Sequence, residues 1–186
     1  VLGTPFFLMH RIDGVVPPDV LPYNFGDNWL FDATVEQQQA LQRSSIEVLA
    51  KLHGIDDAAR TFGFLDPAVA GHDGPTPLAR NLAKTKAWYD YAVDQGSPPS
   101  PLVERGLAWL AANLPTAEGE PVLIWGDARI GNMMYRDFEP VAVLDWEMAT
   151  LGPRELDVAW IVFAHRVFEE ITTMMGLPGM PHFMRR

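Results

Sequence analysis

Trp125-Gly126-Asp127-Ala128-Arg129-Ile130-Gly131-Asn132, followed by Val141-Ala142-Val143-Leu144-Asp145-Trp146-Glu147, decides how the chain is read. Two short apolar runs, Val122 to Trp125 and Val141 to Leu144, each end at or just before an acidic residue. Runs of this length, rich in Val, Ile and Leu, predict buried strands. Between them come a Gly-punctuated loop, the short run Met133-Met134-Tyr135 and a turn over 136–140. The expected outcome is a small set of neighbouring strands with Asp127, Asn132 and Asp145 on one rim. An aspartate, an asparagine five residues on, and a second aspartate eighteen beyond the first (145 − 127) suit phosphoryl transfer. That reaction needs a carboxylate to position a hydroxyl nucleophile, and two oxygen ligands for the magnesium on the nucleotide phosphates. Each of the three has a structural reading when taken alone, as a turn cap or an Asx turn. Their order and spacing together favour the functional one.

The pattern resembles the kinase catalytic loop, Asp-x-x-x-x-Asn, followed by the metal-binding aspartate that protein kinases carry in Asp-Phe-Gly. In the form Gly-Asp-x-x-x-x-Asn and then Leu-Asp-Trp-Glu, it is more similar to the aminoglycoside phosphotransferase and choline kinase-like family. The resemblance implies an α+β fold, the protein-kinase-like C-terminal lobe, mainly helical with a small catalytic β-hairpin region. It implies that Asp127 is the catalytic base and that Asn132 and Asp145 hold magnesium. Arg129 would take the place of a phosphate-contacting lysine in protein kinases, and Glu147 could share metal or acceptor binding. Trp125 stands where the family usually has His; that position supports the loop, so the chemistry is expected to survive with different packing.

Phe6 to Ile12, closing in Asp13-Gly14, predicts a strand and a Gly turn. Beside the later motif it resembles the interlobe hinge of that family. There Met9 would border the adenine, and the carbonyl of His10 and the amide of Ile12 would bond its edge. The implied organisation is a hinge strand and turn over 1–14 and a helical C-terminal lobe over 15–186. The lobe would carry the catalytic loop at 126–132 and the metal-binding segment at 144–147. Nothing in the chain matches the family's Gly-rich phosphate loop or its nucleotide-pairing lysine, so the small N-terminal lobe is expected to be absent. Val1 is not an initiator and Met184-Arg185-Arg186 carries no cap, which predicts a piece of a longer polypeptide.

The activity implied is transfer of the γ-phosphate of ATP or GTP to a hydroxyl of a small molecule, with Mg2+ as cofactor. Aminoglycosides, choline-like amines and related alcohols all stay open as acceptors, and this piece alone is expected to turn over little. A non-catalytic kinase-like module that binds nucleotide or another ligand is the alternative. A metal-dependent hydrolase built on Asp127 and Asp145 would lack the His ligands such sites usually recruit.

The 186 residues, 48% hydrophobic and 11% aromatic, are enough for one well-buried domain and argue against disorder. With no cysteine there are no disulfides or thiolate metal sites, which fits a reducing cytoplasm. No apolar run approaches the ~18 residues of a membrane span, and the opening residues do not read as a basic, apolar, small-residue leader. A formal charge of −10 disfavours nucleic acid as a partner. The expected partners are therefore a nucleotide and a small hydroxyl compound.

Elsewhere the chain predicts helices. Thr34-x-x-Gln37 is a capping box for a helix that Gly54 ends, with Leu41, Val48, Leu49 and Leu52 as its apolar stripe. His53, at its end, reads as structural. Thr76-Pro77 opens a second helix, with Leu78, Leu82, Tyr89 and Ala92 inward, and Gly96 ends it. A third is expected from Pro101 to about Leu114, burying Val103, Leu107, Leu110 and Leu114. A last, mostly buried helix is expected from Arg154 to Ile171, with Asp157 anchoring the catalytic loop from below by the family resemblance. Val15 to Asp32, with Pro17, Pro18 and Pro22 among its aromatics, predicts a packed loop.

Overall fold

The computed structural model describes Gly3, Phe6 and residues 8–184. Its elements are α1 (Val35–His53), α2 (Ala58–Thr61), α3 (Pro77–Asp94), α4 (Pro101–Ala112), β1 (Val122–Ile124), β2 (Met133–Arg136), β3 (Glu139–Val143), β4 (Thr150–Gly152) and α5 (Glu155–Met174). Short 3-10 turns cover Gly63–Leu65, Pro67–Ala70 and Ile130–Asn132. The chain divides into two compact units interleaved in sequence. The first holds Val1–Glu47, Arg129–Leu144 and Ala164–Arg186; the second holds Val48–Ala128 and Asp145–Phe163.

In the first unit the capping box at the start of α1 forms as expected. The Thr34 amide donates to Gln37 Oε1 at 2.9 Å, and the Gln37 amide donates to Thr34 Oγ1 at 3.3 Å. Leu41 is fully buried, and burial of such a side chain contributes about 2 kcal/mol. The same helix also buries Gln38, Ser44 and Ser45, which apolar periodicity does not anticipate. Each has a partner: Gln38 Nε2 donates to the Leu30 carbonyl, Ser44 to that of Phe138, and Ser45 shares a 2.7 Å hydrogen bond with the Tyr135 hydroxyl. Strands β2 and β3 form an antiparallel hairpin with Arg136 opposite Glu139. Asp137 and Phe138 between them have φ of 52° and 66°. Two positive φ values are the signature of a turn whose twist matches the flanking strands. The 15–32 loop packs down, with Tyr23 and Leu30 buried.

Among the described residues, the strand expected at Phe6–Ile12 is not seen. Among the described residues of that stretch none is in a strand, and pairing begins only at Val15, which exchanges two backbone hydrogen bonds with Tyr135. An extended segment with no neighbouring strand has no ladder to join. Leu8, Met9 and Ile12 are accordingly exposed. Val1, Leu2, Thr4, Pro5 and Phe7 of the predicted hinge lie outside the described residues.

In the second unit β1 pairs antiparallel with β4, in the register Val122–Gly152, Leu123–Leu151 and Ile124–Thr150. Every residue of both strands is buried. Leu123, Leu151 and Ala58 form a core on which Leu52, Phe62 and Leu65 pack. Helix α3 starts as its Thr-Pro signal predicts, the Thr76 hydroxyl accepting from the Ala79 amide at 3.2 Å. Three burial expectations fail, the first on α3, which has no buried residue and leaves Leu78, Leu82, Tyr89 and Ala92 half-buried. Helix α4 has no buried residue, with Val103 41% and Leu110 44% exposed. Along α5, Ile161 is buried but Val158, Phe163 and Ile171 are exposed. Apolar periodicity marks a face that can be buried; it does not supply the surface that buries it. Among the described residues no helix is long and apolar enough to cross a membrane.

Candidate functional site

Asp127 stands three residues beyond Ile124, the end of the buried strand β1, and the turn that presents it is clamped from beneath. Asp157 is fully buried near the start of α5. Its Oδ2 accepts from the Trp125 amide at 2.9 Å and its Oδ1 from the Gly126 amide at 2.8 Å. Carboxylates that accept backbone N–H groups make charge-assisted bonds, stronger than neutral ones. His53 Nε2 meets Asp157 Oδ2 at 2.9 Å and completes the anchor. Both residues therefore carry structure, as expected. Gly126 has φ of 93°, and a Cβ there would run into the Met148 backbone, so only glycine makes this corner.

Trp125 is fully buried and its indole Nε1 donates to the Asp145 carbonyl at 3.0 Å. Within the second unit one side chain thus ties the Asp127 corner to Asp145. Asp145 has φ of 59°, a left-handed conformation that aspartate tolerates better than most residues. Asp145, Trp146 and Glu147 are all exposed. A contact that the spacing does not announce falls on Asp127 itself: the Trp160 indole Nε1 donates to its Oδ1 at 2.6 Å. Trp160 follows Asp157 by three residues on α5, so the two share a helix face. That spacing is the one signal in the chain that could have pointed to it.

The first unit holds Arg129 and Asn132 around a single 3-10 turn, where the Asn132 amide donates to the Arg129 carbonyl at 3.0 Å. Asn132 is buried, and its carbonyl accepts from the Leu144 amide at 2.8 Å. That bond continues the β2–β3 hairpin by one step and closes the chain just before Asp145. Arg129 Nη1 pairs with the Asp19 carboxylate, which lies so near Gly131 that a Cβ there would overlap it. Asp19 sits in the proline-rich loop and no motif spacing marks it. Met9, His10 and Ile12 are exposed and outside any strand, with Met9 75% exposed.

Among the described residues no group of three or more His, Asp or Glu side chains gathers to hold a metal ion. Asn132 in the first unit carries an amide oxygen and Asp145 in the second a carboxylate oxygen. Each is a ligand type that magnesium accepts, since it takes few protein ligands and fills its remaining positions with phosphate and water oxygens.

A profile of the phosphotransferase enzyme family matches residues 1–175. Among curated proteins, the chain is 33% identical over 163 residues to acyl-CoA dehydrogenase family member 11 of Gallus gallus, covering 86% of this chain and 18% of that protein. It is 27% identical over 197 residues to acyl-CoA dehydrogenase family member 10 of Mus musculus, covering all of this chain and 17% of that protein. The chain therefore spans less than a fifth of the length of these two relatives. Among solved structures, it is similar in fold to a protein from Ralstonia eutropha assigned as an aminoglycoside phosphotransferase. That match has a TM-score of 0.59 at 21% identity, over 82% of this chain and 42% of that one. The macrolide 2′-phosphotransferase of Brachybacterium faecium gives 0.51 at 22% identity, over 88% of this chain and 51% of that one.

Proposed function

This chain belongs to the phosphotransferase enzyme family, and from that membership we propose that it is the helical C-terminal lobe of an enzyme that moves the γ-phosphate of ATP or GTP to a hydroxyl of a small molecule. The observation that carries the reading is the double clamp on the Asp127 corner. Asp157 holds the two backbone amides before it, and Trp160 holds its carboxylate. A base must sit in one place to be effective, and rigid strand ends and helices position side chains better than free loops do.

In the proposed reaction the acceptor oxygen forms a bond to the γ-phosphorus while the bond from that phosphorus to the β,γ-bridging oxygen breaks. The electron pair leaves on the nucleoside diphosphate, and the hydroxyl proton passes to the Asp127 carboxylate. Arg129 offsets negative charge on the transferring group. Asn132 and Asp145 would hold magnesium, which when bound neutralises charge on the nucleotide phosphates. Met9 would border the adenine, and the carbonyl of His10 and the amide of Ile12 would bond its edge.

Asp127→Asn is the direct test, made on the full natural polypeptide. Turnover should fall by roughly 10²–10⁴-fold while nucleotide binding persists. A nearly unchanged turnover number would remove Asp127 from the chemistry. Complete absence of magnesium-dependent phosphotransfer and nucleotide hydrolysis in the unmodified protein would instead favour a non-catalytic binding module.

A further inference from the structure

Helices α3 and α4, strands β1 and β4 and the first turns of α5 enclose a cavity of about 360 Å³ in the second unit. Leu82, Trp88, Leu110, Ile124, Met148 and Trp160 form much of its wall. Among the described residues lining it there is no Asp or Glu, and the one charged side chain is Lys84. The Lys84 ammonium lies 5.3 Å from the centre of the Trp88 ring, and its partial burial lowers its pKa. Two lining residues connect the cavity to the proposed base. Gly126 immediately precedes Asp127, and Trp160 donates its indole N–H to the Asp127 carboxylate.

We infer that this cavity receives the body of the phosphate acceptor, and that the acceptor is an apolar alcohol without positive charge. The inference rests on the phosphotransferase reading above and narrows it. A polyamine sugar entering here would lose water from several ammonium groups with no carboxylate to replace it; the neutral Asn81, Thr85, Asn113 and Thr150 of the wall carry no charge to offset that cost. A quaternary ammonium could in principle use tryptophan faces. Trp88 already has the Lys84 cation over its ring, and that like charge repels a second. Hydrocarbon has no such penalty and gains from every methylene it buries.

The experiment uses the full natural polypeptide with magnesium and ATP. Phosphorylated product is followed by mass spectrometry for butan-1-ol, hexan-1-ol and octan-1-ol, alongside kanamycin and choline. The expected result is a kcat/KM that rises about fourfold per methylene along the alcohol series, with kanamycin and choline far poorer. In parallel, octan-1-ol is titrated against the tryptophan fluorescence of the Asp127→Asn protein, which requires no turnover. Binding should persist there and weaken at least about tenfold when Leu110→Glu puts a carboxylate in the wall. Leu110 is 44% exposed, so the change leaves folding intact, and Thr85→Glu at the exposed rim repeats the test independently. Efficient phosphorylation of kanamycin or choline with no slope along the alcohols would overturn the inference and leave the phosphotransferase reading standing. Failure of every acceptor would overturn the acceptor role, and absence of magnesium-dependent nucleotide hydrolysis in the same protein would overturn that reading as well. The cavity would then survive as an apolar-alcohol site only if octan-1-ol still bound and both wall variants weakened it.

Discussion

His53 and Asp157 meet at 2.9 Å with side-chain exposures of 6% and 0%. One is the last residue of α1 and the other lies in the first turn of α5. Their pairing leaves both Asp157 oxygens engaged with the corner that leads into Asp127. Removing one partner of a buried pair leaves the other without its counterpart, at a cost of about 3–5 kcal/mol. Asp157→Ala should therefore lower the unfolding free energy measured in urea by an amount in that range, and the midpoint with it. Asp157→Asn keeps one accepting oxygen and should cost clearly less. Equal midpoints for the two variants would show that the carboxylate does not hold the corner.

Trp160 should behave as a positioning residue. Trp160→Phe keeps an aromatic body and removes the N–H that Asp127 Oδ1 accepts. Loss of such a bond to a charged group is worth about 1.5–3 kcal/mol, so kcat is expected to fall about 10–100-fold. The KM for nucleotide should stay within about twofold, because in the proposed reaction the base acts on the acceptor alone. Steady-state kinetics on the full polypeptide read the two separately. A rise in nucleotide KM at constant kcat would contradict this role.

Gly131 and Asp19 form a tight fit beside Arg129. A methyl group at 131 would overlap the Asp19 carboxylate and push it from the Arg129 guanidinium. Overpacking of this kind typically costs about 1–3 kcal/mol. Gly131→Ala should lower the thermal midpoint, and the double variant Gly131→Ala with Asp19→Ala should recover part of the loss. Additive losses in this double-mutant cycle would place the strain elsewhere.

His165 predicts the pH dependence of stability. Burial lowers its pKa from 6.5 to about 4, and Tyr23 shares a 2.8 Å hydrogen bond with its Nδ1. The folded state holds the neutral imidazole, while the unfolded chain takes a proton near 6.5. The contribution is therefore complete above about pH 6.5 and is lost as pH falls toward 4. At pH 5 the loss amounts to about 2 kcal/mol. Urea unfolding at pH 7 and pH 5 measures it, and His165→Gln should flatten the difference. An unchanged difference in that variant would assign the acid sensitivity to other groups.

Features set by a few neighbouring residues were legible before any fold was known. The capping box of Thr34 and Gln37, the Thr76-Pro77 start of α3, the turn over 136–140 and the apolar run that becomes β1 all act within about one helical turn or one hairpin. Their geometry follows from side chains that reach their own backbone. The Gly-Asp corner belongs here too, because Gly126 alone admits the φ of 93° that the corner requires.

What partners each element was decided by tertiary structure. Thr150–Gly152 becomes β4 only because β1 lies beside it, and the described residues of Phe6–Ile12 have no such neighbour to pair with. The exposed stripe of α4, the Asp157 clamp and the Trp160 bond to Asp127 all depend on residues far apart in the chain. The order of residues along the chain sets which reactive groups this protein carries and the turns that present them, since those are local matters of spacing and backbone freedom. What holds them still emerges on folding, because a hydrogen bond between distant residues has no period along the chain to reveal it.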